Sequence, residues 1–142
     1  MTIRRVSPEE AATLMARGYT YVDVRSEGEW VEGHPSGSVN VPLLHAEAGG
    51  MRPNLEFLPA MLRRFPRDAA LVLGCRAGVR SMQAAEILVA AGYTDVVEQR
   101  AGFEGRRDAF GQLVEAGWGR TGLPSTSGED GGTPWHVARE PS

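Results

Sequence analysis

Leu71-Val72-Leu73-Gly74-Cys75-Arg76-Ala77-Gly78-Val79-Arg80-Ser81 is an apolar run, then a loop, then the start of a helical pattern. A continuous apolar run of this length suits a strand buried on both faces of a parallel sheet. Such a strand delivers Cys75 to its C-terminal end, the edge at which open α/β sheets bind ligands. The stretch from Cys75 to Arg80 can curl around the sulfur, and Gly78 supplies the backbone freedom for the curl. Backbone N–H groups then point inward, and the following helix adds the positive end of its dipole. Arg76 and Arg80 add two full charges. The setting favours thiolate over thiol and makes a pocket for a small oxyanion. An inert, buried cysteine would leave two arginines and a glycine around the thiol unexplained.

Working outward, Ser81 to Ala91 is helical and Gly92 stops it. Asp95 to Glu98 is the next strand. Upstream, Tyr21-Val22-Asp23-Val24 reads as a strand. Ser7-Pro8-Glu9-Glu10 is a capping box with proline at the first helical position, and Ser26 with Glu29 suggests a second, short capped helix. His34 to Pro42 is a loop entering a strand near Val39-Asn40-Val41. Asn54 to Phe65 looks helical, with Pro59 setting where the helix begins. Alternating strands and helices predict an α/β domain with a mainly parallel sheet. Gly105 to Gly117 is polar and irregular, with a turn at Asp108-Ala109-Phe110-Gly111. Residues 125–142 read as a flexible tail in which Trp135 is the one candidate anchor.

The chain has 142 residues, of which 42% are hydrophobic and 23% charged, which suits one globular domain. A net charge of −3 gives no basic field for nucleic acid. All fifteen positive residues are arginine, so Schiff-base lysine chemistry is absent. A single cysteine excludes an internal disulfide framework and argues against a thiolate-rich zinc site. No apolar stretch suggests a signal peptide or a membrane span, so a cytoplasmic location is expected. Neither a metal nor an organic cofactor is expected.

Cys75-Arg76-Ala77-Gly78-Val79-Arg80-Ser81 resembles the active-site loop of rhodanese-family sulfurtransferases. Tyr21 to Arg25, Glu29-Trp30, Gly33 to Ser38 and Asn40-Val41-Pro42 resemble the family's upstream signature. Ala91-Gly92-Tyr93, Ala101-Gly102-Phe103 and Trp118 to Pro124 resemble its C-terminal half. The resemblance implies a rhodanese-like domain over 1–124, a five-stranded, mainly parallel sheet with helices on both faces, and a persulfide on Cys75. Pro35 and the insertion at about 105–117 depart from the family pattern. The implied site has Cys75 as nucleophile and Arg76, Ala77, Gly78, Val79 and Arg80 around the substrate. Asp23, Arg25 and Ser81 support the loop, with Asp23–Arg80 and Arg25–Glu29 as candidate pairings. His34 is expected to be a hydrogen-bonded loop histidine, and Trp30 and Phe103 to be pocket walls or core.

The implied donor is a small sulfur compound such as thiosulfate. The acceptor is cyanide, a thiol or a persulfide-accepting protein. The rival readings are a cysteine-dependent phosphatase or arsenate reductase and a non-enzymatic regulatory module. Cysteine phosphatase loops place arginine six positions after the cysteine, whereas Arg80 is five after Cys75 and Ser81 takes the sixth. Regulatory modules on this fold commonly lack the cysteine. The sequence leaves the oligomeric state open.

Overall fold

A computed structural model describes residues 3–141; residues 1, 2 and 142, which the expected domain boundaries include, lie outside the described residues. The chain opens with strand β1 (Arg4–Val6) and helix α1 (Pro8–Ala16), then β2 (Thr20–Asp23) and α2 (Glu27–Glu32). Both helices carry the anticipated capping boxes, from Ser7 with Glu10 and from Ser26 with Glu29. Next come β3 (His34–Pro35), β4 (Ser38–Asn40) and a hairpin of β5 (Leu44–Glu47) and β6 (Gly50–Pro53). Helix α3 (Phe57–Arg64) starts two residues before Pro59, which sits in the first turn, where the missing N–H costs nothing. Strand β7 (Leu71–Gly74), helix α4 (Arg80–Ala90) and strand β8 (Val96–Gln99) form the central unit. The chain ends with β9 (Gly105–Arg107), β10 (Leu113–Ala116), a 3₁₀ turn at Trp118–Arg120, β11 (Ser125–Thr126), β12 (Gly132–Thr133) and α5 (Trp135–Ala138).

The main sheet has the order β1-β8-β7-β2-β4-β12, and every neighbouring pair is parallel. β7 is therefore interior. Its side chains alternate between the two faces. Leu71 and Leu73 join Val22, Met61, Ala84, Leu88 and Trp135 on one face, beneath α3, α4 and α5. Val72 joins Tyr21, Leu14 and Trp118 on the other, beneath α1 and the 3₁₀ turn. Helical cover on both faces is as expected. The sheet has one strand more than the five anticipated, because β12 adds to the edge at β4.

That sixth strand overturns the reading of 125–142 as a flexible tail. β11 pairs with β3, β12 pairs with β4, and α5 places Trp135, 3% exposed, in the main core cluster. Main-chain pairing needs no apolar side chains, so a Gly/Ser-rich composition conceals it. The stretch at 105–117 is also ordered: β9 and β10 form an antiparallel hairpin with a register shift between Leu113 and Glu115. Its tip is the anticipated turn, with Asp108 Oδ1 accepting from Phe110 N and Gln112 N. No helix among the described residues is long and apolar enough to cross a membrane.

Candidate active site

Cys75 follows β7 directly and is 2% exposed. The Gly78 N–H donates to its Sγ at 3.1 Å, closing the loop back on the sulfur. Gly78 has φ +93°, and a Cβ there would run into the Arg100 carbonyl, so only glycine fits. The loop is held against the next crossover by Phe103 N donating to Cys75 O at 2.8 Å and Glu104 N to Arg76 O at 3.0 Å. Helix α4 begins at Arg80, one residue earlier than expected, with no side-chain cap.

Ser81 Oγ lies 3.3 Å from Cys75 Sγ and donates to Glu98 Oε2 at 2.5 Å. Glu98, fully buried on β8, accepts from Arg5 Nε at 2.6 Å. A buried carboxylate is tolerable only with such partners. This chain of contacts links the sulfur to β1 and the sheet edge. Glu98 and Arg5 were missed from the sequence because they are 93 residues apart. The apolar-polar pattern of β8 carries the one available signal, a glutamate inside a buried strand.

Arg80 is engaged by a carboxylate and makes no hydrogen bond to the sulfur among the described residues. Its Nη1 and Nη2 donate to the two Glu29 oxygens at 2.7 and 3.0 Å. Burial pushes the Glu29 carboxyl up, but Arg80 and Ser26 outweigh it and hold the group down at about 2. The same bonds raise Arg80. Asp23 and Arg25 pair with each other, Nε to Oδ1 at 3.0 Å and Nη2 to Oδ2 at 2.7 Å. The anticipated pairings, Asp23 with Arg80 and Arg25 with Glu29, are thus exchanged. The exchange follows from geometry: Asp23 and Arg25 point the same way from one strand end, while α2 brings Glu29 to the start of α4. Arg25 also donates to Gly33 O at 2.6 Å and lies 4.5 Å from the Phe103 ring centroid.

Arg76 and Ala77 are exposed, and Val79 is 68% exposed. Among the described residues Arg76 has no carboxylate within ion-pair distance. It lines a cleft of about 270 Å³ with Arg25, Glu29, Gly33 and Phe103. Phe103 is therefore a wall, whereas Trp30 is core, stacked on His34 with 3.6 Å between ring centroids. His34 is buried, with its ring nitrogens 2.8 Å from Trp30 O and 2.9 Å from Asp130 O.

Fold and loop together define an α/β protein whose interior strand ends in a cysteine enclosed by its own backbone and flanked by arginines. The chain belongs to the rhodanese-like family: the family model described as Rhodanese-like domain matches residues 7–109. It is 32% identical over 120 residues to thiosulfate sulfurtransferase 16, chloroplastic, of Arabidopsis thaliana, covering 84% of this chain and 90% of that one. It is 36% identical over 93 residues to the senescence-associated protein DIN1 of Raphanus sativus, covering 66% of this chain and about half, 51%, of that relative. Among solved structures, Rv0390 from M. tuberculosis superposes with a TM-score of 0.75 at 32% identity, covering 90% of this chain and 100% of that one.

Proposed function

We propose that the protein is a sulfurtransferase that carries sulfane sulfur as a persulfide on Cys75. The observation that carries this reading is the closure of the loop on the sulfur, with Gly78 N–H donating to Sγ at 3.1 Å beside Arg76, which has no ion-pair partner among the described residues. The Cys75 thiolate attacks the outer sulfur of a donor such as thiosulfate. The S–S bond of the donor breaks and sulfite leaves with the electron pair, its charge met by Arg76. Cyanide or a thiolate then attacks the outer sulfur of the persulfide, and Cys75 departs as thiolate. The covalent intermediate divides one transfer into two easier steps. Neither step changes the overall charge or needs a metal or organic cofactor. A reducing cytoplasm would keep the single thiol available. Engagement of Arg80 by Glu29 counts against the phosphatase reading, in which the arginine at the loop's end would grip an oxyanion.

The test is the intact mass after incubation with thiosulfate alone. The protein should gain one sulfur atom, and cyanide should return it to its original mass with release of thiocyanate. Cys75→Ser should abolish both changes while leaving the circular dichroism spectrum unchanged. Thiocyanate production by Cys75→Ser at the wild-type rate would overturn the reading. So would Cys75-dependent hydrolysis of an aryl phosphate by a protein that takes up no sulfur.

A further inference from the structure

The β9–β10 hairpin stands beside the reactive loop and carries a charge balance opposite to that of the chain. Net charge overall is −3. Around the hairpin, Glu104 pairs with both Arg107 and Arg120, at 2.9 and 2.7 Å, and Glu115 pairs with both Arg100 and Arg106, at 2.8 and 3.6 Å. Glu10 adds a long contact to Arg100 at 3.9 Å, so three carboxylates serve four guanidinium groups. Arg76 adds a fifth cation and Asp108 at the tip a fourth carboxylate, which leaves the local balance positive. Arg106 and Arg107 share a groove of about 610 Å³ with Arg76, Gly78 and Val79 of the loop. At the hairpin tip Phe110 is 89% exposed, and Val114 and Leu113 are also exposed. Exposed aromatic and aliphatic side chains among arginines are the mixture found at protein interfaces. A small thiol would need neither Phe110 nor a groove of this extent.

We propose that the hairpin and the outer face of the Cys75 loop form a docking surface for a protein partner with an acidic contact face and an apolar spot. That partner presents the thiol that receives the sulfur. The proposal rests on the sulfur-transfer reading and adds the class of acceptor. In the transfer, the partner's thiolate attacks the outer sulfur of the Cys75 persulfide. The S–S bond breaks, Cys75 leaves as thiolate with the electron pair, and the partner keeps the persulfide.

Two synthetic peptides test this, each with one cysteine beside a leucine, one rich in glutamate and the other with lysine at the same positions. At low salt, thiosulfate-loaded protein should pass sulfur to the acidic peptide about tenfold faster than to the basic one. R106E/R107E should abolish that preference and leave thiocyanate formation from cyanide at the wild-type rate. R106Q/R107Q, which strains the pairing with Glu104 and Glu115 less, should reduce the preference severalfold. Phe110→Ser should slow transfer to the acidic peptide alone. Equal rates to both peptides in the wild type would overturn the proposal, as would tighter binding of a single-stranded RNA than of the acidic peptide. Fluorescence anisotropy of the labelled acidic peptide reads the surface without sulfur chemistry. If the protein fails to load sulfur yet binds that peptide through Arg106 and Arg107, the sulfurtransferase reading fails and the docking surface stands.

Discussion

Arg80 and Glu29 meet across 51 residues of chain and fix the start of α4 to α2. Both side chains are largely buried, 15% and 23% exposed, so their two hydrogen bonds contribute more than a surface pair would. Arg80→Ala should cost about 2 kcal/mol, as for hydrogen bonds between charged groups. The pH dependence follows from the depressed Glu29 carboxyl. A group held at about 2 against an ordinary 4.5 contributes stability that is complete above 4.5 and is lost as the pH falls toward 2. Thermal melts should therefore show the gap between wild type and Arg80→Ala widest above pH 4.5 and closing toward pH 2. A gap that stays constant over that range would place the stabilisation elsewhere. Arg76→Ala should behave differently: an exposed cation at the cleft, with no ion-pair partner among the described residues, should leave the melt unchanged, and its loss should lower kcat/KM for thiosulfate by about tenfold. The difference between the two arginines was partly legible in the sequence, since Arg76 follows the sulfur and Arg80 opens the helix. Their partners were not, because spacing along the chain says nothing about which carboxylate a fold brings alongside.

The helices α1 and α2 begin with the same chemistry, a serine N-cap answered by a glutamate three residues on. Capping boxes are local, which is why both were readable from sequence, as were the buried run of β7 and the α4 pattern. The short ladders β3–β11 and β4–β12 were not, because pairings of two residues leave no periodicity to read. The two capped helices make a matched pair of tests. Ser7→Ala should cost about 1 kcal/mol and do nothing to turnover, since α1 lies on the face away from Cys75. Ser26→Ala should cost a similar amount, but Ser26 also bonds Glu29 Oε1, at 3.0 Å from its hydroxyl and 3.2 Å from its backbone nitrogen. Loosening Glu29 releases Arg80 at the end of the reactive loop. Ser26→Ala should therefore lower thiocyanate production as well as the melting temperature. Equal effects of the two substitutions on turnover would mean that α2 merely covers the site.

At the scale of the whole molecule, the family match ends at residue 109, yet the chain goes on to complete the sheet and the core. Residues 125–141 pair with β3 and β4, set Asp130 O against the His34 ring at 2.9 Å, and bury Trp135 and Ala138. Arg139 ties the end of α5 to α3, through Glu56 at 2.6 Å and through Arg63 donating to its carbonyl at 2.8 Å. Without this segment β4 becomes an open edge, and Trp30, stacked on His34, loses part of its cover. Composition predicts the opposite: a stretch rich in Ser, Gly and Glu, with Trp135 and Val137 as its sizeable apolar groups, looks dispensable. The energetic weight falls on one indole. Removing a buried tryptophan side chain costs about 3 kcal/mol, which for a domain of this size lowers the melting temperature by about 10 °C. Trp135→Ala should show that drop. Truncation after Leu123 should lower the melting temperature at least as far and increase the urea sensitivity of the remaining domain. Cys75 and Gly78 lie in the loop between β7 and α4, Ser81 on α4 and Glu98 on β8, and neither β7 nor β8 pairs with the C-terminal segment in the sheet. Below its own melting transition the truncated protein should therefore still take up sulfur from thiosulfate. A truncated protein that melts with the wild type would show that the segment rests on the domain without supporting it. One that melts early and also takes up no sulfur in the cold would show that the β4 edge and the Cys75 loop are coupled through Asp23 and Asn40, where Asn40 Nδ2 donates to Asp23 O and Arg25 O.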